Sequence, residues 1–76
     1  MDYQRYRAKF HHLILIDRAI REGRFPSSKA IARELEVSDR TVRRNIEFMR
    51  DVLDAPIAYD PSRKGYHYTD RDWSLP

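Results

Sequence analysis

A mainly α domain, three helices closed by one small β-hairpin, is what this sequence predicts, and three observations carry it. Apolar residues recur at helical spacing in three separate stretches. Serines precede the second and third stretches, where a hydroxyl suits the free N–H groups of a helix start. After Pro56 the period changes to two, across two short aromatic and β-branched runs separated by turn residues. At 76 residues the chain is expected to be one domain, residues 1–76, near the smallest size at which a core folds unaided. With 41% hydrophobic residues it is too apolar for a disordered tail. It has no cysteine, which excludes a disulfide scaffold and fits a reducing compartment. The longest apolar run, Leu13 to Ile16, is four residues, far short of the ~20 a membrane span needs. No basic-then-apolar leader is read at the start.

Helix one is expected from about residue 2 to 22, a stretch without Pro or Gly. Tyr3, Tyr6, Phe10, Leu13 and Ile20 share one stripe, which Asp17 interrupts; Leu15 and Ile16 are read as pointing away from it. Gly23 supplies the stop. Ser27 or Ser28 starts helix two, residues 28–36, with Ile31, Ala32 and Leu35 facing inward. Ser38 starts helix three, residues 39–53, whose Val42, Ile46, Met49 and Leu53 form one buried face. A hairpin over residues 57–69 follows, with Asp60 to Gly65 as its turn and Arg63 and Lys64 at its tip. The tail, residues 70–76, has no regular period.

Three helices and a hairpin in this order read as a winged helix-turn-helix, with helices two and three as the unit and the hairpin as the wing. At roughly 100° per residue, the face of helix three opposite its apolar stripe carries Arg40, Arg44, Glu47 and Asp51, flanked by Thr41 and Arg43. Arg40, Arg43 and Arg44 lie in the first two turns, and Glu47, Asp51 and Asp54 toward the C-terminus. A recognition helix approaches base edges with its N-terminal residues, and arginine pairs with guanine O6 and N7. Solvation is the competing reading of these arginines, with Arg43 and Arg44 pairing to Glu47, Asp39 or Glu36. The adjacent cations at the wing tip tilt the balance toward a polyanionic partner, double-stranded DNA. His11, His12 and His67 have no Cys or acidic residue at a metal-like spacing and read as solvated or interfacial. No glycine-rich phosphate loop is present, since Gly23 and Gly65 are the only glycines. No serine has an evident base partner. The expectation is a non-enzyme without metal, cofactor or membrane contact.

The stretch Val37 to Phe48, with its Ser38-Asp39-Arg40-Thr41-Val42-Arg43-Arg44 core, is similar to the recognition-helix signature of bacterial WYL-domain transcriptional regulators. The resemblance continues through Met49-Arg50-Asp51 and Ala55 to Asp60, into Lys64-Gly65-Tyr66-His67-Tyr68-Thr69 and the tail Trp73 to Pro76. The Ser-x-Arg-Thr-Val core is shared with DeoR-type and biotin-repressor-type winged helices. The resemblance implies a sequence-specific DNA-binding domain of a bacterial, cytoplasmic and nucleoid-associated regulator that acts as a homodimer. It also implies Ser38, Arg40, Thr41 and Arg44 as DNA contacts; with Arg43, Arg63 and Lys64 they make up the expected site. Asn45 stands where the family commonly has Asp, a lost charge beside two arginines. The WYL module is absent, and an excised N-terminal domain is the favoured reading over a stand-alone relative.

Helix one carries more aromatic surface than a minimal winged helix needs. Either Trp73 and Leu75 fold back over it, or Tyr3, Tyr6, Phe10 and Ile16 form a weak homodimer contact. Residues 1–24 hold six cations against three anions, and the rest of the chain balances nine to nine. Arg5, Arg7 and Lys9 therefore stand where they could reach a DNA backbone. Two rivals remain at this stage. A winged helix used for protein contact would show apolar anchors on helix three. RNA or single-strand binding would use exposed aromatics, for which Tyr59, Tyr66 and Tyr68 are the candidates.

Overall fold

The computed structural model describes residues 3–76, with side-chain surroundings from Ala8 onward. Helices α1 (Tyr3–Arg21), α2 (Ser28–Leu35) and α3 (Asp39–Asp51) precede strands β1 (Ile57–Asp60) and β2 (Gly65–Tyr68). The strands pair antiparallel, with Ile57 opposite Tyr68, Ala58 opposite His67, Tyr59 opposite Tyr66 and Asp60 opposite Gly65. This is a winged helix fold.

The two serine caps form as local chemistry requires. Ser27 Oγ accepts from the Ala30 amide, and Ser38 Oγ from the Thr41 amide. Each satisfies an amide that a helix start leaves without a partner. Helix α2 ends one residue short of the expectation because Glu36 turns into the left-handed region (φ 58°). Its amide and that of Val37 then close back on the last turn. Helix α3 stops at Asp51 rather than residue 53, and Asp54 takes the left-handed turn that leads into the wing. The strands occupy only part of the expected 57–69. Asp60 Oδ1 accepts from Ser62 N, Ser62 Oγ and Arg63 N, which folds residues 61–64 into the turn.

The core is one cluster. Leu13, Ile16, Ala19 and Ile20 from α1 meet Ile31 and Ala32 from α2, Val42, Ile46 and Met49 from α3, and Ala55, Ile57 and Tyr68 from the wing. Ile16 was expected to point away from this side, and instead it is fully buried. Leu13, Ile16 and Ile20, spaced three and four apart, are the true inner stripe. Asp17 does not break that stripe, because its carboxylate accepts the Tyr68 hydroxyl and pairs with Arg21 at 2.9 Å. Burial, and then the Asp17 carboxylate, push the Tyr68 phenol well above its ordinary range, so it stays a donor.

The tail folds back on α1. Arg21 donates to the carbonyls of Arg71 (2.9 Å) and Trp73 (2.7 Å), and the Trp73 ring lies 5.7 Å from that of Tyr68. Cover is incomplete: Phe10 remains 51% exposed. The side chains of Tyr3 and Tyr6 lie outside the described residues.

Candidate nucleic-acid interface

Burial of Val42, Asn45, Ile46 and Met49 fixes the rotation of α3. Arg40, Arg43, Arg44 and Glu47 are thereby turned to solvent, where they line one open groove. Arg40, Arg44 and Glu47 make no ion pair with any described residue. Arg43 does: its guanidinium sits 2.5 Å from Asp39 Oδ2, one turn back. Asp39 is held in turn by the Ser28 hydroxyl. Ser28 first, and then Arg43, hold the Asp39 carboxyl below the usual carboxylate range. A lowered value means that this Ser28–Asp39–Arg43 link is intact at neutral pH. It is lost as the pH falls through the folded-state value.

Asn45, next to Arg43 and Arg44 in the chain, lies among the buried residues of α3 at 6% exposure, and no hydrogen bond joins it to an arginine among the described residues. Ser38 and Thr41 are partly committed to the helix start. The Ser38 hydroxyl donates to Thr41 Oγ1 at 2.9 Å while accepting from the Thr41 amide. That leaves the Thr41 hydroxyl proton free for an outside acceptor.

The wing cations are separated by their surroundings. The Arg63 guanidinium lies over the Phe25 ring, 4.3 Å from its centroid. It therefore has an intramolecular partner that spacing did not reveal. Lys64, in the left-handed region, lines a different cleft with Arg24, Pro26, Ser27 and Glu34. The α3 groove and the Lys64 cleft share no lining residue. Phe25 was not among the expected site residues, nor was Ser28. Phe25 has one local signal, its place before Pro26, and it carries both Arg63 and the His67 ring, whose centroid is 5.0 Å away. His67 is accordingly half-buried against Phe25 rather than solvated, with its Nδ1 buried and unpaired.

A family model for the HTH domain matches residues 15–67, over two thirds of the chain. The chain belongs to the HTH domain family. No curated protein and no solved structure matches it significantly. Helix-turn-helix domains are DNA-binding modules in which the second helix of the unit enters the major groove. In this HTH domain α2 and α3 are that pair, and the matched span takes in both helices and most of the wing. Among the described residues, no group of three or more His, Cys, Asp and Glu is placed to hold a metal ion. No described helix is long and apolar enough to cross a membrane.

Proposed function

We propose that residues 1–76 are a single DNA-binding domain of a bacterial transcriptional regulator of the WYL-domain kind, working in the cytoplasm on specific double-stranded sequences. The observation that carries this reading is the α3 face. Arg40 and Arg44 stand exposed there and unpaired among the described residues, opposite a stripe whose burial holds the helix in place. Arg40 and Arg44 read base edges. Thr41 donates to a phosphate, and Ser38 holds the helix start that presents it. Arg43, Arg63 and Lys64 neutralise phosphates, the first two after leaving Asp39 and Phe25. The protein-contact rival loses ground because this face displays charge and no apolar anchor. Single-strand binding has little to stack on: Tyr68 is buried and Tyr66 half-buried, which leaves Tyr59.

Duplex binding by the chain is expected to weaken linearly in log–log with salt. Each phosphate neutralised adds about 0.9 to the slope, so Arg63 and Lys64 alone account for about 2. Titration of a mixed-sequence duplex at several salt concentrations measures it. No binding at low salt overturns the reading.

The homodimer expectation rests on the half-exposed Phe10, which borders an apolar groove shared by Leu13, Phe48 and Leu53. Ile16 is excluded from that contact by its burial in the core. The surface is small, and interfaces below ~1,200 Å² are weak or transient. A monomer at micromolar concentration that pairs at high concentration or on DNA is the expected result of sedimentation, with pairing reduced by Phe10→Ala. A tight dimer indifferent to Phe10→Ala places the contact elsewhere.

A further inference from the structure

We infer that Glu47 is a specificity-determining residue, whose carboxylate accepts a hydrogen bond from the 4-amino group of a cytosine beside the bases read by Arg40 and Arg44. The inference rests on the DNA-reading role proposed above for α3.

Glu47 is exposed in the same groove as Arg40, Arg43 and Arg44, yet it is paired to none of them. Arg43 lies four residues before it and Arg44 three, so both are within helical pairing distance. The reason for the missing pair is directional. An acid N-terminal to a base at this spacing is the better arrangement on a helix. Arg43 accordingly turns back to Asp39, which Ser28 already holds, rather than forward to Glu47. Among the described residues, Glu47 is left without an ion-pair partner on the face proposed to meet DNA.

A free carboxylate against a polyanion is repelled unless it finds a donor. The major groove offers two, the cytosine 4-amino and the adenine 6-amino groups. An ionised carboxylate only accepts hydrogen bonds, and the adenine amine stands beside the N7 acceptor of the same base. Cytosine has no such neighbour on its own edge, so it is the better partner. Spacing agrees. Arg40 and Glu47 are seven residues apart, nearly in line along the helix and roughly 10 Å in rise. At about 3.4 Å per base step, that separation spans about three steps. Arg44 falls between them, about one step from Glu47.

Selection of bound duplexes from a randomised pool, with the chain and with Glu47→Ala and Glu47→Gln, tests this. The chain is expected to enrich cytosine at one position adjoining guanines. Glu47→Ala removes the preference at that position alone, reducing discrimination there about 5- to 150-fold. Glu47→Gln changes the preferred base there to adenine, which glutamine contacts through N6 and N7. If both variants keep the consensus and merely bind every duplex more tightly, Glu47 only repels phosphate and the inference is overturned. If the chain itself enriches no sequence, base reading by α3 fails as a whole, and this inference fails with it.

Discussion

Gly65→Ala is expected to destabilise the domain by about 3 kcal/mol, more than any surface change on α3. A Cβ at this position would stand 1.7 Å from the Phe25 carbonyl oxygen, 2.3 Å from its carbon and 3.0 Å from the Pro26 oxygen. All three are backbone atoms, which cannot swing aside as a side chain can. The Tyr66 amide donates to that same Pro26 oxygen at 2.9 Å, so the first strand residues of β2 are tied to the loop between α1 and α2. An added methyl group must push them apart. The cost combines overpacking, about 1–3 kcal/mol, with a lost backbone hydrogen bond of about 1 kcal/mol. In a domain of this size each kcal/mol moves Tm by about 4–8 °C, so a fall of about 15 °C is the expected reading in thermal denaturation. Gly23→Ala is the matched control. Gly23 has φ +82° but nothing within 4 Å of its would-be Cβ, so only backbone strain of about 1 kcal/mol is expected. Equal losses at the two glycines would show that β2 is not packed on the loop.

That contact also marks where sequence reasoning runs out. The serine caps and the Val42, Ile46 and Met49 stripe were legible because their partners lie within four residues of them. Helix ends were less so. Chain reversals are sought at glycine, yet Glu36, Asp54 and Lys64 take the left-handed conformation here with φ between 56° and 58°. Ile16 was misplaced for a different reason. The stripe was drawn from Leu13 through Asp17 to Ile20, whereas the inner face steps from Leu13 to Ile16 to Ile20. Asp17 is only partly buried, and Tyr68, 51 residues away, donates to its carboxylate. The family resemblance set Asn45 beside two arginines by chain order alone, whereas its burial follows from the helical face it shares with Val42, Ile46 and Met49.

For the site, residue type and helical face were enough to bring Arg40, Arg43 and Arg44 together. Differences among them were not legible. Arg43 is engaged by Asp39, a spacing the sequence allowed alongside Glu47 and Glu36, and only direction along the helix selects it. Arg63 over Phe25 joins two segments through a packed loop, and no periodicity links them.

Unequal engagement leads to unequal mutant effects. Arg40→Ala and Arg44→Ala are each expected to reduce discrimination between a selected duplex and its scrambled form by about 1–3 kcal/mol, the worth of a base-reading arginine. Both guanidinium groups are exposed and unpaired among the described residues, so neither must abandon a partner to reach a base. They stand one helical turn apart in one groove, close enough for their effects to couple, so the double variant should depart from the sum of the two. Lys64→Ala should behave otherwise, weakening selected and scrambled duplexes alike and lowering the salt slope by about 0.9. Arg43→Ala should cost less than either reader, because binding through Arg43 first breaks its pair with Asp39. Affinities for the two duplexes at one fixed salt concentration separate these cases. Equal losses on both duplexes from Arg40→Ala and Arg44→Ala would move those side chains from base edges to the phosphate backbone, and base reading would then have to come from elsewhere on α3.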